Sequence, residues 1–119
     1  MIAVLRQQIY NNPTMTNLNP DTVLQGMLQN TEKAAALLKL IAHPHRLMIL
    51  CLLLESEKNV TELVEAIGIN QTAVSNHLAK LRSEGVVEYT RYHRVLQYRL
   101  TSSEIEAIIG TLHDIYCPR

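Results

Sequence analysis

Apolar spacing divides the chain into five helical stretches and one pair of strands. Asn19-Pro20-Asp21 is a helix start: an asparagine cap, a proline in the first turn and an acid near the positive end. Beyond it Val23, Leu24, Met27 and Leu28, then Ala34, Leu37, Leu38 and Ile41, recur at helical spacing. Asn30-Thr31 either splits this stretch in two, with Thr31 as the second cap, or is a polar step in one long helix. His43-Pro44 closes it and opens the next, because proline suits the first helical position and drives its predecessor out of the α region. Pro44–Leu54 is apolar almost all round after Arg46 and reads as the buried central helix of a small bundle. Asn59-Val60-Thr61 reads as a short extended piece before a helix, Thr61–Ile67, capped by Thr61 and stopped by Gly68. Asn70 caps the following helix, Gln71–Ser83, whose stripe is Val74, Leu78 and Leu81.

After Gly85 the period changes from 3.6 to 2. Val86–Arg91 and Val95–Leu100 are strands joined across Tyr92-His93-Arg94, a hairpin with a basic tip. Thr101 or Ser102 caps the last helix, and the spacing from Thr101 to Glu104 is that of a capping box. Ile105, Ile108, Ile109, Leu112, Ile115 and Tyr116 give that helix an apolar face too wide for a lone terminal element, which points to a functional unit of two chains. The order predicts a mainly α fold with a β-hairpin wing. It is a winged helix-turn-helix, with the helix-turn-helix at 61–82 and the wing at 86–100.

Composition bounds this picture without altering it. With 119 residues, 47% of them hydrophobic, the chain suits one folded domain, read as residues 19–119. Residues 1–18 read as a detachable extension, because Asn11, Asn12, Pro13 and Asn17 interrupt any regular pattern. It is a loose arm, an extra turn of helix or, with Met15 as the initiator, not part of the protein. The longest apolar run, Leu47–Leu54, has eight residues, against the roughly 17–25 that a membrane span needs. The start lacks the order of a signal peptide, so the expected location is cytoplasmic. Cys51 and Cys117 sit in no CxxC motif, which removes thioredoxin-like redox chemistry and a zinc knuckle.

Charge changes the picture more. Eleven Lys+Arg against eleven Asp+Glu give a net charge of zero, which argues against a duplex binder if the charge is evenly spread. It is not. Between Gln71 and Arg99 stand Lys80, Arg82, Arg91, Arg94 and Arg99 against only Glu84 and Glu88, while Glu55, Glu57, Glu62 and Glu65 crowd the preceding segment. Gln71–Ser83 is polar on its outer sides and contains no acid. A major groove about 12 Å wide accepts one such helix. Gln71 and Asn76 suit adenine edges, Thr72 and Ser75 suit bases or phosphates, His77 joins them among the expected DNA-binding residues, and Lys80, Arg82, Arg91, His93 and Arg94 suit phosphates or the minor groove. The plain alternative is a solvated helix with favourable cations at its end. An enzyme is not expected, since there is no activated nucleophile, no Gly-rich phosphate loop and no cofactor motif.

The segments LLKLIAHPHRLMIL and INQTAVSNHLAKLRSEGVV resemble the ArsR/SmtB family of winged-helix repressors, over roughly Glu32 to Cys117. The resemblance implies a homodimer paired through its first and last helices, which represses a double-stranded DNA operator until an inducer acts. It places Gln71, Thr72, Ser75, Asn76 and His77 on the recognition helix and Arg91–Arg94 on the wing; Asn70 replaces the serine of many members and keeps the cap. The family's metal motifs are missing. Thr61-Glu62-Leu63-Val64-Glu65 has no thiol, and Ser102, Glu104, Ile115 and Pro118 occupy the terminal-helix positions, so no metal site is expected. His43, His45 and His113 are the remaining, unfamiliar set.

Cys51 and Cys117 match the family's dithiol subgroup, typified by BigR, SqrR and HlyU. That likeness implies redox sensing, in which reactive sulfur species or oxidants bridge the two thiols by a disulfide or polysulfide. The expectation is therefore a DNA-binding repressor with a thiol input. The alternatives are a constitutive anti-silencing regulator, a metal-responsive repressor with an atypical site, and a winged-helix protein-interaction module that binds no DNA.

Overall fold

A computed structural model describes residues 19–117. The expectations for residues 1–18 lie outside that range. The chain divides at Lys39/Leu40 into two compact units.

The described residues of the first unit lie in most of helix α1, Pro20–Ile41, a single helix of 22 residues, and its cap. Asn19 caps it, its Oδ1 accepting the Asp21 amide at 2.9 Å. The polar step at Asn30-Thr31 does not break it. Thr31 Oγ1 donates back to the Met27 carbonyl at 2.7 Å, a bond available only inside a continuous helix. Leu28 and Leu38 are each 54% exposed.

The second unit begins with the buried residues Leu40 and Ile41 and then α2, Pro44–Glu55. His43 is the cap of α2, its Nδ1 accepting the His45 amide at 3.2 Å, while Arg46 Nε donates to the Leu40 carbonyl at 2.7 Å. Helix α3 spans Val60–Ile67 and starts one residue earlier than its sequence suggested. Its cap is Asn59, not Thr61. Asn59 Oδ1 accepts the Glu62 amide at 2.8 Å and Glu62 Oε1 accepts the Asn59 amide at 3.0 Å. This reciprocal box satisfies two otherwise unpaired amides where a Thr61 cap would satisfy one. Gly68, at φ 81°, ends α3, a left-handed position that favours glycine. Asn70 Oδ1 then accepts the Ala73 amide at 2.8 Å and opens α4, Gln71–Ser83.

The wing is β1, Val87–Tyr92, antiparallel to β2, Val95–Leu100. Tyr92 pairs with Val95, so the turn is two residues, His93-Arg94, rather than three. A two-residue turn matches the strand twist at the cost of a positive φ at its first position, which His93 adopts at 58°. The extended piece before α3 is a single bridge in which Lys58 exchanges backbone hydrogen bonds with Tyr98 at 3.1 and 2.8 Å. It ties the wing to the entrance of the helix-turn-helix. Thr101 does not form a capping box. Its hydroxyl donates to the Gly85 carbonyl at 2.7 Å and secures the wing base, and Ser102 caps α5, Ser103–Tyr116, instead.

Helix α2 packs against α3, α4, α5 and β2, as expected of a central helix. Ile49, Leu50, Leu63, Val74, Leu78, Leu81, Val87 and Ile109 are its fully buried company. On α4 the buried residues recur at i, i+4 and i+7, which turns the opposite side to solvent. No single helix among the described residues is long and apolar enough to cross a membrane.

Candidate nucleic-acid interface

Helix α4 carries most of the predicted contacts, and its stripe determines which of them share a face. Gln71, Thr72, Ser75 and Asn76 are all exposed. At about 100° per residue they span one sector at the N-terminal half of the helix. Gln71 and Ser75 line an open cleft of about 390 Å³ together with Asn59 and Thr61 of the α3 start and Arg94 of the wing. Residues distant in sequence thus meet at one surface, with hydrogen-bonding groups on the helix and a guanidinium at the rim.

The cations differ in how far they are committed. Lys80 pairs with Glu84 at 3.6 Å across one helical turn. Arg82 Nε donates to Glu88 Oε1 at 3.0 Å and its guanidinium lies 4.3 Å from the centre of the Tyr89 ring. Glu88 is held below the usual carboxylate range, first by the Tyr89 amide and then by Arg82, and that same bond raises Arg82. Arg82 therefore joins the end of α4 to the wing, and its charge is already balanced. Arg91 and Arg94 are exposed and have no ion pair among the described residues. With His93 between them, they make the wing tip a basic element without an acidic partner among the described residues.

His77 stands apart from the other predicted contacts. It lies about 170° around α4 from the centre of the sector defined by Gln71, Thr72, Ser75 and Asn76. It is half-buried, its ring centre 4.6 Å from that of His43 and 6.0 Å from that of His45. Burial lowers its basicity, and neighbouring His43, Arg46 and His45 lower it further. The sequence grouped His77 with the DNA-contacting residues of the recognition helix; its partnership with His43 needed the packing of α2 against α4. His113, grouped with His43 and His45 by sequence, sits instead on α5 beside Asp114, at 3.9 Å.

The two cysteines belong to packed elements. Cys51 is half-buried on α2, Cys117 is exposed at the end of α5, and α2 and α5 pack together. Both are free thiols. Burial pushes the Cys51 thiol up, and Cys117 and Glu55 add to the shift. This environment favours the Cys51 thiol over the thiolate, the form that reacts.

Residues 43–89 match the family model for bacterial regulatory proteins of the arsR family. The transcriptional activator HlyU of Vibrio cholerae is 44% identical over 94 residues, 79% of this chain and 87% of that protein. The structure of reduced HlyU from the same organism superimposes with a TM-score of 0.75 at 43% identity, covering 78% of this chain and 98% of the other. The transcriptional repressor BigR of Xylella fastidiosa gives 0.72 at 39% identity, covering 78% and 92%.

Proposed function

This chain belongs to the ArsR family of DNA-binding bacterial transcriptional regulators, and from that premise we propose that it works as a homodimer occupying a double-stranded operator without requiring thiol chemistry. The observation that carries this reading is the α4 surface: Gln71, Thr72, Ser75 and Asn76 exposed together, free of acid, beside Arg94 of the wing, which has no ion pair among the described residues. In this reading α4 enters a major groove by its N-terminal half, and Arg91, His93 and Arg94 take the flanking phosphates or minor groove. Lys80 and Arg82 hold register, since their glutamate partners already balance them.

Residues 19–119 form the functional domain. A second copy covers the apolar residues left open, Leu28 and Leu38 on α1 and Ile115 (64% exposed) and Tyr116 (76%) on α5. Pairing through these first and last helices sets the two α4 helices one helical turn of DNA apart, about 34–36 Å. One relative is an activator and another a repressor. Operator occupancy serves both, by blocking polymerase or by displacing another DNA-bound protein. The site of action is the cytoplasm.

The test is binding to a duplex selected by this protein from a random pool, at several salt concentrations. A steep fall of affinity with salt and discrimination against scrambled duplex are expected; weak, salt-insensitive binding would identify an interaction module instead. Binding by reduced, persulfide-treated and Cys51→Ser proteins is expected to agree within roughly twofold, well below the tenfold that 1.4 kcal/mol represents.

The packing of α2 on α5 favours a second reading, in which an oxidant or persulfide bridges Cys51 and Cys117 and changes the spacing of the two α4 helices. Loss of operator binding on persulfide treatment, abolished in Cys51→Ser, would select it. The state of Cys51 gives a separate expectation. A raised pKa leaves less thiolate near pH 7, so iodoacetamide should label exposed Cys117 first and Cys51 slowly, with the difference vanishing on unfolding. Mass spectrometry after timed labelling reads this directly, and equal native rates would contradict it.

A further inference from the structure

Three imidazoles converge where the start of α2 meets the recognition helix. One ligand nitrogen each from His43, His45 and His77 lie within 4.8 Å of one another, and all three residues are half-buried. No other cluster of three or more His, Cys, Asp or Glu able to hold a metal occurs among the described residues. The ring centres are 4.6, 5.6 and 6.0 Å apart, so these are packed rings rather than a chance scatter of surface histidines.

We infer that His43, His45 and His77 form a binding site for one divalent transition-metal ion of the imidazole-preferring class, such as Zn²⁺, Co²⁺ or Ni²⁺. Around a tetrahedral ion with bonds of about 2.0–2.1 Å, ligand nitrogens stand roughly 3.4 Å apart. Closing from at most 4.8 Å is within the reach of side-chain rotation. Three protein nitrogens leave a fourth position for water, the arrangement of an open rather than a structural site. Carboxylates are absent from the cluster and Arg46 acts on His77, so affinity falls below that of a carboxylate-supported site.

Binding has a defined proton balance at His43. Its Nδ1 accepts the His45 amide, which leaves Nε2 as the other ring nitrogen. Ligation through Nε2 shifts the ring proton to Nδ1 and exchanges that cap bond for the metal bond. The ion then links the first turn of α2 to α4 through His77, which fixes the pose of the helix that the proposed function assigns to the operator. The metal site itself does not depend on that assignment.

The test uses the full chain with Cys51→Ser and Cys117→Ser, so that no thiolate competes, titrated with Co²⁺ and followed by visible absorption and circular dichroism. Saturation at one ion per chain with tetrahedral-type bands is expected. His45→Gln and His77→Gln should each weaken binding roughly tenfold or more, since outer-shell changes alone cost about 10–100-fold. His113→Gln should leave binding unchanged. If His77→Gln does not fold, His45→Gln carries the test, because its side chain caps no helix and lies outside the core. No saturable uptake, or loss with His113→Gln and not with His45→Gln, would overturn the site, whatever the protein does with DNA.

Discussion

A protein carrying Arg91→Glu and Arg94→Glu together is expected to bind its operator about a hundredfold more weakly at 0.15 M salt, with a visibly shallower salt dependence. These wing-tip cations are exposed and have no ion pair among the described residues. Each therefore has its full charge to give to a phosphate. Four such contacts in a dimer contribute about 0.9 each to the slope of log affinity against log salt, so the slope should fall by roughly 3.6. Reversal also adds repulsion, which makes the loss larger than neutralisation. Arg82→Gln should affect binding differently. Removing Arg82 leaves Glu88 to the Tyr89 amide and solvent and loosens the joint between α4 and the wing, but releases few counterions. Fluorescence anisotropy across a salt series separates the two. An unchanged slope in the Arg91/Arg94 variant would remove the wing from the interface.

Leu78→Ala should weaken operator binding through lost stability rather than by altering a contact, most strongly as the temperature nears its lowered unfolding midpoint. Leu78 has no exposed surface, and it sits in the middle of the α4 stripe against the other buried aliphatics. A buried leucine cut to alanine costs about 2–5 kcal/mol, from lost transfer energy and the cavity left behind. A small domain has only about 5–15 kcal/mol to lose. The midpoint of thermal unfolding should fall by on the order of 10 °C. The groups that face the groove are untouched, so restored binding at low temperature would accompany restored helicity. A variant of parental stability that cannot bind would place Leu78 in the interface, contrary to its burial.

Much of this arrangement is legible in the sequence because it is local. The Asn70 cap, the Gly68 stop, the spacing of Val74, Leu78 and Leu81, and the change to period 2 after Gly85 each act within a few residues. Where local signals compete, the sequence leaves a choice. Asn59 and Thr61 are both good caps, and Glu62 decides for Asn59 by returning a second hydrogen bond. Thr101 is a good cap too, but the Gly85 carbonyl, 16 residues away, captures its hydroxyl. The length of α1 was likewise open until Thr31 turned back onto Met27.

The sequence by itself determined the helix-turn-helix, the wing and the polar character of α4, because periodicity and capping are properties of neighbouring residues. Only the tertiary structure decided which charges remain available and which histidines meet. Glu88 of the wing takes up Arg82 of α4, while Arg91 and Arg94 have no ion pair among the described residues. His77 turns to His43 and His45 while His113 stays on α5. Charge pairing and ligand convergence depend on distances of a few ångströms between groups carried by different elements. No spacing along a sequence contains those distances until the core of α2, α3 and α4 has closed.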